Sequence, residues 1–471
     1  MVFSSSEYMF AFFPLILLFY YAVPKRYLKA RNLVLLFFSL IFYGWGEPRY
    51  VILMVLTILA DYVFGYMIER CGDNRRAAKR WMIAAVLVNL GILGFFKYAT
   101  FIMSNLAMIP GLSFLPVPHI KLPVGISFYT FQALSYVLDV YMGDTRAQRD
   151  PLAFGTYVTL FPQLVAGPIV RYRDVDTMLT ERKESTAMIA EGVRTFLAGL
   201  GKKLILANVA GQVWESFRAV PAAEQTVLGS WLGLLFYTFQ IYFDFSAYSD
   251  MAIGLGKMLG FTFLENFNYP YISKSVTEFW RRWHISLSTW FREYVYFPLG
   301  GSRCDKAWKT YRNLFVVWLC TGIWHGANWN YLLWGLYYFL LLVLEKTLLR
   351  RVLDKIPSVL RHIGTMLAVM GGWWLFVFED LGAGVTYLGS MLGRTGLFTS
   401  SAVNFDLVRN LLFLVILSVA ATPLPKKLFW HLHEKSRAFR ALAVALGGVI
   451  FAVSLSYLVS SSYNPFLYFI F

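Results

Sequence analysis

Two histidines mark where this chain could do chemistry. His284 lies in EFWRRWHISLSTWFREYVYFPLGGSR and His325 in TGIWHGANWNYLLWG, so two of the six histidines share the stretch Glu278–Trp334 and both have aromatic neighbours. An imidazole kept neutral by apolar surroundings can accept a proton, as a general base working near neutral pH must. If residues 277–296 form one helix, Trp280, His284, Leu287 and Phe291 share a face, because residues three and four apart are neighbours. Glu278 and Arg282 are then neighbours too and can pair. Arg281, Arg282 and Arg292 exclude a lipid-facing position and place this helix at an interface or in a polar cavity. An interfacial amphipathic helix explains the arginines, but not a histidine on the aromatic face.

His325 is the sharper case. Arg312 is the last charged residue before it, and about 13 helical residues advance about 20 Å into a hydrocarbon core about 30 Å thick. An ionisable group at that depth is costly and marks a functional site by default; the alternative is a neutral histidine bonded across helices. Gly322 and Gly326 bracket it and permit close backbone approach or a helix break, while Asn328 and Asn330 add polar atoms at the same depth.

Other chemistry is absent from the sequence. The two histidines are far apart, and Cys71, Cys304 and Cys320 form no CxxC or Cys/His spacing, so neither a metal site nor a disulfide framework is expected. There is no nucleophile elbow and no P-loop, and GLGKMLG (254–260) misses the dinucleotide fingerprint and reads as helix packing. Asp61, Asp139, Asp244 and Asp250 either cap and bridge helices or line an ion or proton path.

The elements that position these residues must cross a membrane. The 471 residues are 58% hydrophobic, 18% aromatic and 15% charged, against about 25% charged in soluble domains, and apolar runs of about 17 residues or more recur along the length. The net charge of +16 falls in short clusters between these runs, at 25–31, 70–80 and 303–312. That is the positive-inside pattern and not a nucleic-acid surface, so these loops are assigned to the cytoplasm. The first run, Tyr8–Val23, lacks a basic leader and a small-residue cleavage site and reads as a retained segment.

Further runs follow at Leu33–Trp45, Tyr50–Ile68 and Trp81–Tyr98, with a Pro/Gly-rich loop at Pro110–Pro118 on the other face. Residues 122–141 return with Ser, Thr, Gln and Asp139, polar enough to face protein. FPQLVAGPIVR, broken by Pro162, Gly167 and Pro168, predicts a re-entrant segment. Arg171–Arg194 is expected as a polar cytoplasmic loop with room for a surface helix. Phe196–Val213, Val227–Phe243, Tyr331–Leu344, Gly364–Phe378, Leu407–Ala421 and Leu442–Leu458 read as helices, and residues 422–440 as a basic loop carrying His431 and His433. The expectation is an all-α polytopic bundle of about 10–12 transmembrane or re-entrant helices, residues 1–471 forming one domain.

FWRRWHISLSTW, GIWHGANWNYLLWG, YFDFSAYSDMAIGLG and FPQLVAGPIVRYRD resemble the membrane-bound O-acyltransferases (MBOAT), most closely the bacterial branch that O-acetylates alginate. MVFSSSEYMFAFFP and LPVGISFYTFQALSYVLDVYMGD are similar to the same branch. The motif resemblance is strongest over about 120–345 and thins beyond Glu345 to GWWLFVFE (372–379). It implies a helical bundle around a central tunnel in the bacterial inner membrane. The WHG histidine, His325, would be catalytic, as general base or transient acyl carrier, and the RRWH histidine, His284, would be catalytic too, positioning the donor or the acceptor. It further implies acetyl transfer from a cytoplasmic thioester, acetyl-CoA or an acyl-carrier thioester, with no bound cofactor. The acetyl group would pass through periplasmic or extracellular partner proteins to an exported polysaccharide such as alginate; related branches acetylate peptidoglycan or D-alanylate teichoic acid. Trp283, Arg281, Arg282, Trp324, Asn328 and Asp244 are the candidate substrate-binding residues. The competing functions are a transporter or channel using the intramembrane aspartates, opposed by the lack of inverted repeats, and a non-catalytic scaffold of a polysaccharide-export complex.

Overall fold

The structure is a computed structural model that describes residues 1–353, 355–461 and 463–467. Among the described residues every regular element is helical. Six helices are long and apolar enough to cross a membrane: Leu28–Gly46, Tyr50–Arg70, Arg75–Ala107, Trp329–Leu349, Ser401–Ala420 and Arg437–Ser460. This is the polytopic helical bundle that the apolar runs predict.

The N-terminal part comprises α1 (Phe13–Ala22), α2 (Leu28–Gly46), α3 (Tyr50–Arg70), α4 (Arg75–Ala107) and α5 (Ile126–Met142). Two short helices, α6 (Pro151–Thr159) and α7 (Phe161–Leu164), lead into irregular backbone whose residues are buried throughout 160–170. That fits Pro162, Gly167 and Pro168, since irregular backbone at such depth is tolerated where protein surrounds it. α8 (Tyr172–Glu181) and α9 (Thr186–Gly201) then replace most of the loop expected at Arg171–Arg194. α8 is fixed by the Asp174 carboxylate, which accepts from the Arg171 backbone N–H (3.3 Å) and its Nε (2.8 Å). Through a π-helical turn, Lys202–Ala207, α9 continues into α10 (Asn208–Arg218).

The centre is α11 (Val227–Met258), one unbroken helix that carries the run expected at Val227–Phe243 on through YFDFSAYSDMAIGLG. Nearly all of its side chains are buried, so it needs no lipid-facing composition and tolerates Gln240, Asp244 and Ser249. α9 lies against it through glycines: a Cβ on Gly192 would meet Gly254 O at 2.6 Å, and one on Gly199 would meet Ala247 O at 2.7 Å. The GLGKMLG stretch is thus a packing surface, as its spacing suggested.

After α11 come α12 (Val276–Arg282), α13 (Ile285–Phe291), α14 (Ala307–His325), α15 (Trp329–Leu344), α16 (Arg350–Leu353), α17 (Ser358–Val377), α18 (Leu381–Met391), α19 (Ser401–Ala420), α20 (Leu424–Lys435) and α21 (Arg437–Ser460). α20 corrects the loop expected at 422–440: Pro425 stands within its first two positions, where a proline's missing N–H costs nothing.

Contacts between loops sort the helix ends into two faces. On one, Arg31 pairs with Glu184 (2.6 Å), Arg173 with Asp144 (2.7 Å), Arg149 with Glu69, and Arg171 with Glu293. On the other, Glu47 pairs with Lys121 (2.9 Å), Trp329 Nε1 donates to Asn105 Oδ1 (3.1 Å), and Asn328 Nδ2 donates to Glu379 O (3.3 Å). The basic clusters at 25–31 and 70–80 share the first face, as the positive-inside reading requires.

Candidate active site

Asn266, eighteen residues upstream of His284, decides the geometry there. The helix expected over 277–296 is broken: α12 ends at Arg282, Trp283 is extended, and His284 adopts a left-handed conformation (φ 44°, ψ 55°) before α13 begins. Such a backbone costs a non-glycine residue about 1–2 kcal/mol. Loop 266–268 holds it from both sides. Asn268 N donates to Arg282 O (2.9 Å), Ile285 N to Asn266 O (2.9 Å), and Ser286 N to Asn266 Oδ1 (3.2 Å). The shared face drawn through Trp280, His284, Leu287 and Phe291 therefore does not exist.

The same amide orients the imidazole. Asn266 Oδ1 accepts from Ser286 N and from Ser286 Oγ (2.9 Å), so His284 Nδ1, 3.1 Å away, is the donor and carries the proton. Nε2 then carries the lone pair. Asn266 Nδ2 donates to Ser249 Oγ on α11 (3.1 Å), and Ser286 Oγ accepts from Ile169 N (3.1 Å), which ties the buried 160–170 segment to the same network. Phe245 of α11 meets the His284 ring edge-on at 4.7 Å.

His325 is the last residue of α14 and is buried. The helix is continuous from Arg312, a rise of about 20 Å. Among the described residues, three rings stand nearly perpendicular to its imidazole: Trp324 at 5.1 Å, Trp334 of α15 at 4.8 Å and Phe376 of α17 at 5.3 Å. Glycines allow this approach. A Cβ on Gly322 would meet Tyr331 O at 2.5 Å, and one on Gly335 would meet Trp318 O at 2.5 Å, so α14 and α15 cross in backbone contact one residue from Trp334. Gly335→Val should drive these helices apart and cost about 1–3 kcal/mol, read as a lower melting temperature in detergent together with reduced turnover. Unchanged melting would show that the crossing can relax.

Trp324 joins the two histidines, its indole lying 6.1 Å from the His284 ring and 5.1 Å from the His325 ring. Its Nε1 is buried without a hydrogen-bond partner among the described residues. Beside this cluster a cavity of about 680 Å³ is lined by Tyr237, Gln240, Tyr331 and Phe376 inside and by Glu379 and Asp380 outside. It lies at the face opposite the basic loops, and Phe376 is a wall of both the cavity and the His325 cage. Histidine, indole and cavity together suit acyl transfer to a hydroxyl group.

The family model for MBOAT, membrane-bound O-acyltransferase family, matches residues 147–382. The chain belongs to this family. The match takes in both histidines and the aromatic cage. The chain is 39% identical to the "Probable alginate O-acetylase AlgI" of Azotobacter vinelandii over the whole of both chains. It is 44% identical to the protein of that name from Pseudomonas aeruginosa, over 81% of this chain and 73% of the relative. It is 33% identical to the "Peptidoglycan O-acetyltransferase" of Helicobacter pylori, over 84% and 80%. Likeness therefore continues beyond Glu345, where the short motifs thin out. This membrane-bound O-acyltransferase is an enzyme of acyl transfer.

The remaining sequence candidates scatter. Trp283 is buried among Phe267, Phe279 and Trp373 (5.0, 5.6 and 4.7 Å), a packing position behind His284. Arg281 is exposed. Arg282 is engaged by Glu278 (2.9 Å), the pairing expected from their spacing, and by Asn268 O (3.1 Å). Asn328 caps α15, its Oδ1 accepting from Trp329 N (2.6 Å). Asp244 is buried in an ion pair with Lys203 (2.7 Å) and accepts from Leu467 N (2.9 Å), so it anchors the 463–467 segment to α11. Sequence inspection missed Asn266, Lys97, Phe245 and Phe376. Lys97 carried a signal as a lone cation in an apolar run, and Phe245 and Phe376 lie in motifs of the family resemblance without standing out there.

His284→Asn removes the imidazole and keeps the left-handed backbone, because asparagine adopts that region readily. The variant should remain folded and lose turnover by about 10-fold or more. Lower abundance with full turnover per folded molecule would leave His284 a structural residue.

Proposed function

We propose that this membrane-bound O-acyltransferase takes an acetyl group from a thioester on the cytoplasmic, basic face and delivers it through the bundle to a hydroxyl acceptor on the opposite face. The end product is an O-acetylated exported polysaccharide such as alginate, made with periplasmic or extracellular acetyltransferase partners in the bacterial inner membrane. The observation that carries this reading is the place of His325: it ends α14, and its Phe376 wall is shared with the cavity on the face away from the basic loops.

His325 acts as general base. Its imidazole takes the proton of the acceptor hydroxyl as the oxygen attacks the thioester carbonyl, and the thiol leaves with the proton returned to it. Such a base contributes about 10²–10⁴-fold. His284 sits on the other side of Trp324 and positions the donor, its ring held by Asn266. The donor is acetyl-CoA, whose phosphates suit the excess of basic residues at that face. The names of the relatives support acetyl as the group and a glycan as the acceptor.

Sidedness tests the reading. Inverted membrane vesicles, with the basic face outward, should consume added labelled acetyl-CoA, and sealed right-side-out vesicles should not until permeabilised. Equal consumption by both, or consumption only by the right-side-out form, would overturn it.

A further inference from the structure

α4 places a single cation inside the bundle. Lys97 is 7% exposed, and α4 runs on to Ala107, so the side chain cannot reach a helix end by snorkelling. Among the described residues no carboxylate pairs with it. Its Nζ donates instead to Trp324 O and, at 3.3 Å, to Ser127 Oγ of α5, and it lies 5.6 Å from the Trp324 ring centre. The next residue acts on the next carbonyl: Tyr98 Oη donates to Ile323 O at 2.5 Å.

Those two carbonyls belong to the last turn of α14. A helix leaves its final four carbonyls without N–H partners and carries partial negative charge there, which a cation stabilises. α14 stops at His325 because Gly326 is fully extended (φ 179°, ψ 162°). Two consecutive residues of α4 thus answer two consecutive open carbonyls of the turn that carries His325. Ser127 brings in α5, whose Phe128 and Phe131 pack on Trp324 at 5.5 and 5.8 Å.

We infer that Lys97 and Tyr98 form a cap on the last turn of α14 that fixes where His325 stands, making Lys97 a positioning residue for acyl transfer. The inference rests on the role given to His325 above. A cap of this kind governs turnover more than donor affinity, since misplacing a reacting group by about 1 Å can cost about 100-fold.

The test uses the full-length protein in nanodiscs and two variants, Lys97→Met and Tyr98→Phe; the second removes one hydroxyl and carries the test if the first does not fold. Two readouts are taken on folded protein: kcat and KM with labelled acetyl-CoA, and the rate of His325 carbethoxylation by diethylpyrocarbonate, followed by mass spectrometry. Lys97→Met should lower kcat by about 10- to 100-fold with KM little changed and should alter the His325 modification rate by about threefold or more; Tyr98→Phe should do the same more weakly. Wild-type kcat and a wild-type modification rate in both variants would overturn the cap, whatever the effect on melting. If His325→Ala itself retained turnover while Lys97→Met still changed the modification rate, the catalytic role of His325 would fall and the cap would stand.

Discussion

His325→Ala should lower acetyl transfer by about 10²–10⁴-fold while the protein still inserts, folds and retains its aromatic cage. The size follows from the general-base role: removing the imidazole removes the acceptor of the hydroxyl proton, and Trp324, Trp334 and Phe376 offer none in its place. His325→Gln, which keeps a polar side chain of similar reach, should be nearly as inactive, because an amide does not accept a proton at neutral pH. The check is the acetyl-ester content of the exported polysaccharide in cells carrying each variant, normalised to protein in the membrane. Wild-type ester content with His325→Ala would refute the assignment.

The second large effect concerns stability. Asp244→Ala should cost about 3–5 kcal/mol, the usual consequence of leaving one buried partner of an ion pair alone. Both side chains are 2% exposed, so water cannot compensate. The change also releases the backbone N–H of Leu467, loosening a segment that Asn464 holds to Ser4 O (2.6 Å) and Phe466 holds to Tyr248 by stacking (4.6 Å). Replacing both charges with apolar residues, Lys203→Met with Asp244→Leu, should recover most of the loss. Thermal unfolding in detergent measures this. Wild-type melting with lost turnover would instead return Asp244 to the substrate-binding role that the sequence allowed.

How much of this was legible beforehand follows the range of the forces involved. The spans were readable because lipid demands long apolar runs locally, and α2, α3 and α4 contain the runs at Leu33–Trp45, Tyr50–Ile68 and Trp81–Tyr98. The helical rise from Arg312 to His325 was readable because no charge or helix breaker lies between them, and α14 is continuous there. The break at His284 was not. Nothing in EFWRRWHISLSTWF interrupts a helix, and the interruption is imposed by Asn266 and Asn268 from a different part of the chain. Asp244 was left between two readings for a related reason: an aspartate in an apolar helix signals a charge to be met, and the sequence does not reveal that Lys203 meets it. α20 was hidden because Pro423 and Pro425 read as breakers, although a proline suits the first positions of a helix.

Two histidines, one indole between them and a cavity on the face away from the basic loops converge on one chemistry, His325 acting upon a thioester. The most direct measurement incubates purified wild-type protein and His325→Ala in nanodiscs with radiolabelled acetyl-CoA and follows loss of the thioester and the fate of the label. Label should be released or transferred by the wild type and should stay on coenzyme A with the variant. Equal thioester loss in both, or none with the wild type when either acetyl-CoA or an acetylated carrier protein is supplied, would contradict that chemistry.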